Sequence, residues 1–455
     1  MFTATGVSIQ SESALDADEI ILSRRLAKQW QLRKGDSLTL FFGLTDAAVN
    51  ISSIDGKENV LLCHPALLEH LRLLPDSLLR SGYFPSKREL VLGPVIALLT
   101  EIKEMDNGPS FGNVAAFCEE LAAFSEQMGC FFYVTSLSLW DDDDVEGYRF
   151  ENGAWLKESM PFPNIVHNRV HSRRAEQSTR FLNWLKHMKA RGIPHFNDRF
   201  LNKWEVHELL QGFPYLKPYI PETALLQTKQ ELADMLASHS CLFLKPIYGS
   251  QGRNILRVTR DEAGYLLDYT TFTGDVQRSY TSLDELFRTI KRLTGQRSYL
   301  MQQGLSLYRY KQRPLDFRIL CHKTPEHRWK VTSSIARVSA EKQFVSNAAL
   351  GGSLHRPEEV LQPAFSSKEA RHIKKLLGEL AIEVAKCISL SYDGLYGELG
   401  IDMAVDEHGN PWFIEANSKP SKNMMPQTAG PAIRPSVRSI LQYCCAAAAQ
   451  PSKEV

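Results

Sequence analysis

The sequence predicts a multidomain protein of mixed α+β and α/β class. A small N-terminal β domain and an α/β domain precede a larger region of mixed helices and strands. The chain has 455 residues, more than one ordinary hydrophobic core contains. The spacing of apolar residues also changes twice along the chain. We therefore place three domains at residues 1–88, 89–199 and 200–455.

The first domain is predicted from short apolar stretches separated by turn signals. In LRKGDSLTLFFG, residues 32–43, Gly35 and Asp36 form a turn, and apolar side chains alternate after it. This pattern is typical of β-hairpins. It fits either a small barrel or a plain β-meander.

The second domain is predicted from a strand, a helix and a second strand in succession. ELVLGPVIALLTEI (89–102) has the apolar run of a buried strand, and FGNVAAFCEELAAFSEQMG (111–129) has helical spacing. CFFYVTSL (130–137) follows as the next strand. This order predicts a parallel α/β layer.

The composition excludes several classes of function. Lys and Arg number 53 against 52 Asp and Glu, so no overall charge favours nucleic acid or an anionic membrane as a partner. The eight cysteines are scattered without a CxxC motif, as in reduced core thiols. The N-terminus lacks the pattern of a signal peptide, and no apolar run is long enough to span a membrane. We therefore expect a cytoplasmic protein whose function resides in a local site.

Two late strands carry the strongest candidate for a metal site. Asp402 lies in GELGIDMAV, and Glu415 and Asn417 lie in NPWFIEANS, with a short turn between the two strands. Pairing of these strands brings the three side chains together. Two carboxylates and an amide oxygen suit Mg²⁺ better than Zn²⁺. The alternative is a strand end whose polar residues are solvated.

Magnesium held by so few protein ligands usually completes its shell with phosphates, and several residues are candidates to bind them. In LKPIYGSQGRN, Lys245 ends a buried strand before a glycine loop, which is otherwise a flexible hairpin tip. Lys203 is either a second phosphate ligand or a solvated helix residue. Arg318 and Arg337 interrupt apolar strands, either to clamp a phosphoryl group or to form structural ion pairs.

The order of these motifs resembles the ATP-grasp superfamily from residue 200 to about residue 430, with a layout similar to glutathione synthetase and D-alanyl-D-alanine ligase. With LGPVIALLT, IVHNRVHSRR and FLNKWEVHELL, nearly the whole chain is similar to the YheC/YheD branch, which is associated with endospore coats. The resemblance implies an ATP-grasp fold in which two subdomains clasp ATP, preceded by an α/β pre-ATP-grasp domain and the β domain.

The resemblance also implies roles for individual residues. Lys203 and Lys245 would contact the α- and β-phosphates, Arg318 and Arg337 the γ-phosphate, and Asp402, Glu415 and Asn417 one or two Mg²⁺ ions. The nucleotide site would further include Gly249, Ser250, Gly252, Gln302, Gln303, Leu305 and Asp316. The turn over the acceptor would contain Asn347, Gly351 and Gly352. Relatives often have an acidic residue where this chain has Gln302, so its adenine or ribose contact differs.

The function that the resemblance implies is ligation of a carboxylate to an amine through an acyl phosphate, with ATP as co-substrate and Mg²⁺. The acceptor is a metabolite or a peptide, and spore coat proteins are further candidate partners. Arg169 and Arg173, near His167 and His171, bind an anionic substrate or form a basic surface patch. The main alternative function is a spore-associated scaffold that binds nucleotide without turnover. A phosphotransferase on the same fold is a third.

Overall fold

The computed structural model describes residues 5–54, 56, 58–249, 254–271, 274–340, 352–392, 394–422 and 433–448. Within these ranges, the chain forms a closed barrel, three six-stranded sheets and a two-stranded ribbon. The predicted mixture of α+β and α/β architecture is confirmed. The predicted domain boundaries stay predictions.

The N-terminal strands close into a barrel in the order β1-β5-β2-β4-β3-β7-β6, with β6 pairing back to β1. The strands are β1 (Thr5–Ser11), β2 (Glu19–Leu22), β3 (Ser37–Phe42), β4 (Thr45–Ile54), β5 (Val60–Cys63), β6 (Leu78–Phe84) and β7 (Glu89–Leu92). Helices α1 (Arg24–Trp30) and α2 (Pro65–Leu71) connect them. Three pairs, β1/β5, β2/β4 and β3/β7, are parallel, so the fold is not a meander of sequential antiparallel strands.

The strand predicted over residues 89–102 is two strands in different sheets. β7 pairs with β3 and β6 inside the barrel, whereas β8 (Val95–Leu99) belongs to the next sheet. The chain turns between them at Gly93, whose φ is +104°, a value that favours glycine. The two strands form one apolar run in the sequence because each is buried in its own sheet.

The second sheet has the order β13-β12-β11-β8-β14-β15. Its other strands are β11 (Phe131–Thr135), β12 (Glu146–Glu151), β13 (Ala154–Ser159), β14 (Ile165–Asn168) and β15 (His195–Phe196). A ribbon of β9 (Lys103–Met105) and β10 (Gly108–Ser110) lies outside it, and its helices are α3 (Ala115–Gln127), α4 (Arg173–Glu176) and α5 (Thr179–Ala190). The pairs β11/β8, β8/β14 and β14/β15 are parallel, as the predicted α/β layer requires.

The third sheet is antiparallel throughout, in the order β16-β21-β17-β18-β19-β20. Its strands are β16 (Thr223–Leu225), β17 (Cys241–Pro246), β18 (Leu256–Asp261), β19 (Gly264–Thr271), β20 (Gly274–Tyr280) and β21 (Tyr299–Gln303). Helix α6 (Lys203–Gln211) precedes the sheet, and helices α7 (Lys229–Ser238) and α8 (Leu283–Thr294) share its hydrophobic core.

The fourth sheet carries the predicted metal ligands and has the order β25-β24-β23-β26-β27, with β22 paired to β23. Its strands are β22 (Arg309–Tyr310), β23 (Arg313–Lys323), β24 (Trp329–Val338), β25 (Ser353–His355), β26 (Glu398–Val405) and β27 (Pro411–Asn417). The remaining helices are α9 (Pro357–Leu361), α10 (Ser367–Ser391) and α11 (Pro435–Ala448). The apolar face of α10 packs in the core of this sheet.

The second sheet is covered on both faces. Val95, Ala97 and Leu99 of β8 share one core with the barrel, and Phe42 of the barrel contacts Phe131 with ring centroids 5.4 Å apart. Ile96 and Leu98 point the other way and share a core with α3 and α11. The end of the described chain therefore returns to the second sheet.

All eight cysteines are free thiols, and six of them are buried, as predicted for core residues. Among the helices that the structure describes, none is both long enough and apolar enough to cross a membrane.

Candidate functional site

The three predicted metal ligands lie together at the β26/β27 pair. Asp402 is paired with Glu415 and Gly400 with Asn417, so the side chains share one face of the sheet. Asn417 Nδ2 donates to Glu415 Oε1 at 3.1 Å and lies 3.5 Å from Asp402 Oδ2. The described residues contain no group of three His, Cys, Asp or Glu side chains placed to bind a metal. The donor set here is therefore two carboxylates and the Asn417 amide.

Two arginines from the neighbouring strands enclose Asp402. Arg318 is paired with Asp402 across β23 and β26, and its guanidinium donates to both carboxylate oxygens, at 2.8 Å for the Nη2–Oδ2 contact. Arg337 Nη2 lies 3.0 Å from Asp402 Oδ2. Arg337 also donates to both oxygens of Asp316, at 2.6 and 2.7 Å. Both arginines therefore form the ion pairs that were the predicted alternative to a phosphate clamp.

Burial and neighbouring charges shift the pKa values of Asp402 and Glu415 in opposite directions. Burial raises the pKa of Asp402, and Arg318 and Arg337 offset only part of that effect. Burial also acts to raise the pKa of Glu415, but Lys203, the Asn417 amide and Arg318 outweigh it, so this pKa lies well below its usual value. Glu415 is therefore ionised throughout the physiological range.

Lys203 connects the fourth sheet to the glycine loop of the third. It is the first residue of α6, whose N-cap Asn202 accepts from Trp204 N at 2.9 Å. Its Nζ donates to Gly249 O at 2.7 Å and lies 3.2 Å from Glu415 Oε2. The side chain is 19% exposed, so the alternative of a solvated helix lysine is wrong.

Lys245 is the next-to-last residue of β17 and lies close enough to Glu415 and Lys203 to interact with their charges. Its Nζ donates to Gln302 Oε1 at 2.5 Å, and Gln302 Nε2 donates to Thr223 Oγ1 at 3.2 Å. Burial lowers the pKa of Lys245 to about 8, with Lys203 adding to the shift and Glu415 opposing it. An ammonium held in this environment is stabilised by any anion that enters the site.

The predicted adenine-binding strand is β21, paired with β16 on one side and β17 on the other. Gln303 Oε1 accepts from Glu222 N at 3.2 Å. Leu305 lies beyond the strand end, and its carbonyl accepts from Leu307 N at 2.9 Å. The Gln302 side chain is occupied by Lys245 and Thr223, and nothing in the sequence around Thr223 indicated this contact.

One predicted substrate residue, Arg169, lies outside the site, and four other predicted residues fall outside the described part of the chain. Ser250, Gly252, Asn347 and Gly351 lie outside the described residues, and Gly352 directly precedes β25. Arg169 is fully buried, donating to Glu398 Oε2 at 3.1 Å and to Pro420 O at 2.9 Å. A guanidinium enclosed in this way does not face a substrate. The alternative of a surface patch is equally wrong for Arg169 and for His167, which is 1% exposed.

Arg173, in contrast, lies at the edge of the site. Its guanidinium stacks over Phe200 at 4.6 Å and over Tyr248 at 5.7 Å. Burial lowers the pKa of Arg173, and Glu176, Tyr248 and Glu415 oppose that shift. Tyr248 was not predicted as a site residue, although an aromatic side chain directly before Gly249 was a visible signal; it is 59% exposed.

A family model described as "YheC/D like ATP-grasp" matches residues 192–446. This chain belongs to the YheC/D-like ATP-grasp family. The match contains both lysines, both arginines and the β26/β27 carboxylates, so the predicted ATP-grasp architecture is confirmed.

Two curated proteins of Bacillus subtilis (strain 168) are similar to this chain. Endospore coat-associated protein YheD is 27% identical over 388 residues, covering 80% of this chain and 83% of YheD. Endospore coat-associated protein YheC is 24% identical over 289 residues, covering 60% and 75%. A D-Ala:D-Ser ligase from Enterococcus faecalis is 13% identical with a TM-score of 0.45, covering 77% and 99%, a similarity too low to support a conclusion.

Proposed function

We propose that this protein is an ATP- and Mg²⁺-dependent ligase that joins a carboxylate to an amine. The observation that supports it most directly is the position of Lys203, which contacts both the Gly249 carbonyl and the Glu415 carboxylate. This contact links the candidate phosphate loop to the candidate metal ligands. A triphosphate with a bound cation needs both in one place.

The donor set fits magnesium. Asp402 and Glu415 supply carboxylate oxygens from directly paired positions, and the Asn417 amide supplies a neutral oxygen once it turns its carbonyl inward. A bound Mg²⁺ neutralises developing charge on phosphate oxygens and orients them.

The cationic side chains are expected to exchange partners when nucleotide binds. Arg318 and Arg337 now neutralise Asp402 and Asp316, and Lys203 pairs with Glu415. Phosphate oxygens offer these groups a stronger charge-assisted partner. The arginines then orient and neutralise the transferring phosphoryl group, while Lys245 moves from Gln302 to a phosphate oxygen.

The overall reaction is balanced without a nucleophilic side chain. A carboxylate and an amine give an amide, while ATP gives ADP and phosphate; the carboxylate is activated as an acyl phosphate before the amine attacks. Positioning and electrostatic stabilisation supply the catalysis. We propose that Arg173, at the edge of the site, binds the anionic acceptor, which is a metabolite or a peptide.

A scaffold that binds nucleotide without turnover is the second candidate. The similarity to YheD, an endospore coat-associated protein, favours it, because that description gives a location and not a reaction. Both candidates bind Mg-ATP, and they differ in whether phosphate is released.

Binding is tested by the melting temperature with and without Mg-ATP. Ligand at 100 times its Kd stabilises the native state by about 2.7 kcal/mol. Mg-ATP should therefore raise the melting temperature of the wild-type protein, and it should leave the melting temperature of Glu415→Ala unchanged. Glu379→Gln, an exposed carboxylate on α10, is the matched control and should behave as wild type. An identical response of wild type and Glu415→Ala would contradict the proposed site.

Turnover is tested by phosphate release in a screen of acids and amines, followed by mass spectrometry of the products. Phosphate release with an amide product supports a ligase. Phosphate retained on the acceptor indicates a phosphotransferase. Mg-ATP binding without product in any mixture favours the scaffold.

A further inference from the structure

Two cysteine sulfurs face each other where the barrel, the second sheet and helix α11 meet. Cys130 Sγ lies 3.2 Å from Cys445 Sγ, although 315 positions separate the residues in the chain. Cys130 directly precedes β11 of the second sheet, and Cys445 lies in the last turn of α11. Both are free thiols. A contact between residues so distant in sequence depends on the folded structure.

The backbone holds Cys130 in place. Gly129 has a φ of +66°, and its carbonyl accepts from Arg80 N of the barrel at 2.7 Å. A Cβ atom at Gly129 would lie 2.8 Å from that nitrogen, so the barrel approaches here as closely as glycine allows. Cys130 N donates to Ser125 O at 2.9 Å, which closes the end of α3.

The Cys445 sulfur is held in place by the packing of helix α11. Tyr443 and Cys444 of α11 are buried in the core that α11 shares with α3 and the second sheet. Cys445 follows them at the edge of this core and is partly exposed, whereas Cys130 is 5% exposed. A small reagent therefore reaches Cys445 before it reaches Cys130.

The surroundings of Cys445 favour its thiolate form. A hydrogen bond from Cys130 and the charge of Arg80 lower the pKa of Cys445, against the effect of burial. Burial raises the pKa of the neighbouring Cys444 well above its usual value. The pKa values of these two adjacent cysteines thus shift in opposite directions, because Cys444 is enclosed in the core while Cys445 faces Arg80 and the Cys130 sulfur.

We propose that Cys130 and Cys445 are an oxidation site at which a reversible disulfide ties helix α11 to the second sheet. The oxidant is a low-molecular-weight disulfide, RSSR. The Cys445 thiolate attacks one sulfur of RSSR, which breaks the S–S bond, forms Cys445–S–S–R and releases RS⁻. Cys130 then loses its proton to RS⁻ or solvent and attacks the Cys445 sulfur, releasing the second RS⁻. Two protein thiols and RSSR become one protein disulfide and two RSH.

The test begins with wild-type protein and oxidised glutathione. Peptide mapping without reductant should find a Cys130–Cys445 linked peptide, with the number of free thiols falling from eight to six. Dithiothreitol should restore all eight. The bridge closes a long loop, so the oxidised protein should melt about 5 °C above the reduced protein.

Variants identify the two sulfurs. Cys445→Ser and Cys130→Ser should each lose the linked peptide and the rise in melting temperature, while Cys444→Ser should keep both. Eight free thiols after oxidation would overturn the proposal. A stable glutathione adduct on Cys445 or a bridge that contains Cys444 would overturn it as well. Because the mapping uses wild-type protein, the test stands even where a variant folds poorly.

Discussion

Arg337 contacts Asp402 at 3.0 Å although β23 lies between the strands that carry them. Arg318 of β23 binds the same carboxylate, so two nearly buried guanidinium groups share Asp402, and Asp316 is a further partner of Arg337. We predict that Asp402→Asn lowers the free energy of unfolding by about 3–5 kcal/mol, because it leaves buried charge uncompensated. Urea denaturation measures this loss, and calorimetry should show that Mg-ATP binding is lost as well.

Glu379→Gln is the control for Asp402→Asn. Glu379 is 58% exposed and pairs with Lys375 at 3.5 Å on the surface of α10. We expect a change of less than about 1 kcal/mol, as for other exposed pairs. An equally small change for Asp402→Asn would show that the arginines do not need this carboxylate.

Lys245 should make nucleotide binding dependent on pH. Its pKa of about 8 in the folded protein means that the ammonium loses its charge as the pH rises through that value. The affinity for Mg-ATP should therefore fall between pH 7 and pH 9 in wild type, measured by calorimetry. In Lys245→Gln the affinity should be weaker at pH 7 and should not fall further. A fall of the same size in both proteins would assign the titration to another group.

The lowered pKa of Lys245 also predicts that stability changes with pH in the direction opposite to the affinity for Mg-ATP. Between pH 8 and pH 10.5 the unfolded chain binds more protons at Lys245 than the folded protein does. Stability without nucleotide should then rise with pH relative to Lys245→Gln. Melting temperatures of the two proteins across this range give the comparison. A constant difference would contradict a lowered pKa at this lysine.

Glu415 should contribute stability that acid removes. Its pKa is lowered from 4.5, so the contribution is fully present above pH 4.5 and is lost as the pH falls through the lower, folded value. Glu415→Gln should therefore melt below wild type at pH 7, and the two melting temperatures should converge at acid pH. A difference that persists unchanged at low pH would contradict the ion pair with Lys203.

Asn197 should be a structural requirement of the site strands. It is fully buried with a φ of +62°, and its amide donates to Glu398 O at 3.0 Å and to Ser418 O. Its Oδ1 accepts from Gly397 N at 3.0 Å. We expect Asn197→Ala to lower the free energy of unfolding by about 3 kcal/mol, measured in urea.

The variant Asn197→Gly separates the effect of the positive φ from the effect of the lost side-chain hydrogen bonds. Glycine relieves the positive φ but makes no side-chain hydrogen bonds. We predict that it is almost as destabilised as Asn197→Ala. Recovery of wild-type stability in Asn197→Gly would mean that backbone conformation, and not the hydrogen bonds, determines the effect.

The sequence was informative where a feature is local. Two strand-like segments joined by a short turn were enough to predict the β26/β27 hairpin, and the hairpin register then brings Asp402 opposite Glu415. Helix α10 has the apolar spacing of an amphipathic helix, and its capping box at Ser366 and Glu369 fixes its start.

The parts that could not be predicted depend on contacts between distant segments. Arg169 and Arg173 lie four residues apart in a basic stretch, yet Arg169 is buried against Glu398 while Arg173 faces Tyr248. Nothing local distinguishes them, because Glu398 enters from a strand 229 residues later. The split of residues 89–102 into two strands was hidden for the same reason, since both halves are equally apolar.

The core that the barrel shares with β8 means that the N-terminal region is not an interchangeable module. Val95, Ala97 and Leu99 share one core with residues of the barrel, and Phe131 packs on Phe42. A fragment that starts after the barrel would expose to water the part of the parallel sheet's apolar face that packs on the barrel, and it would be prone to aggregate. Shortened versions intended for crystallisation or activity assays should keep both regions together.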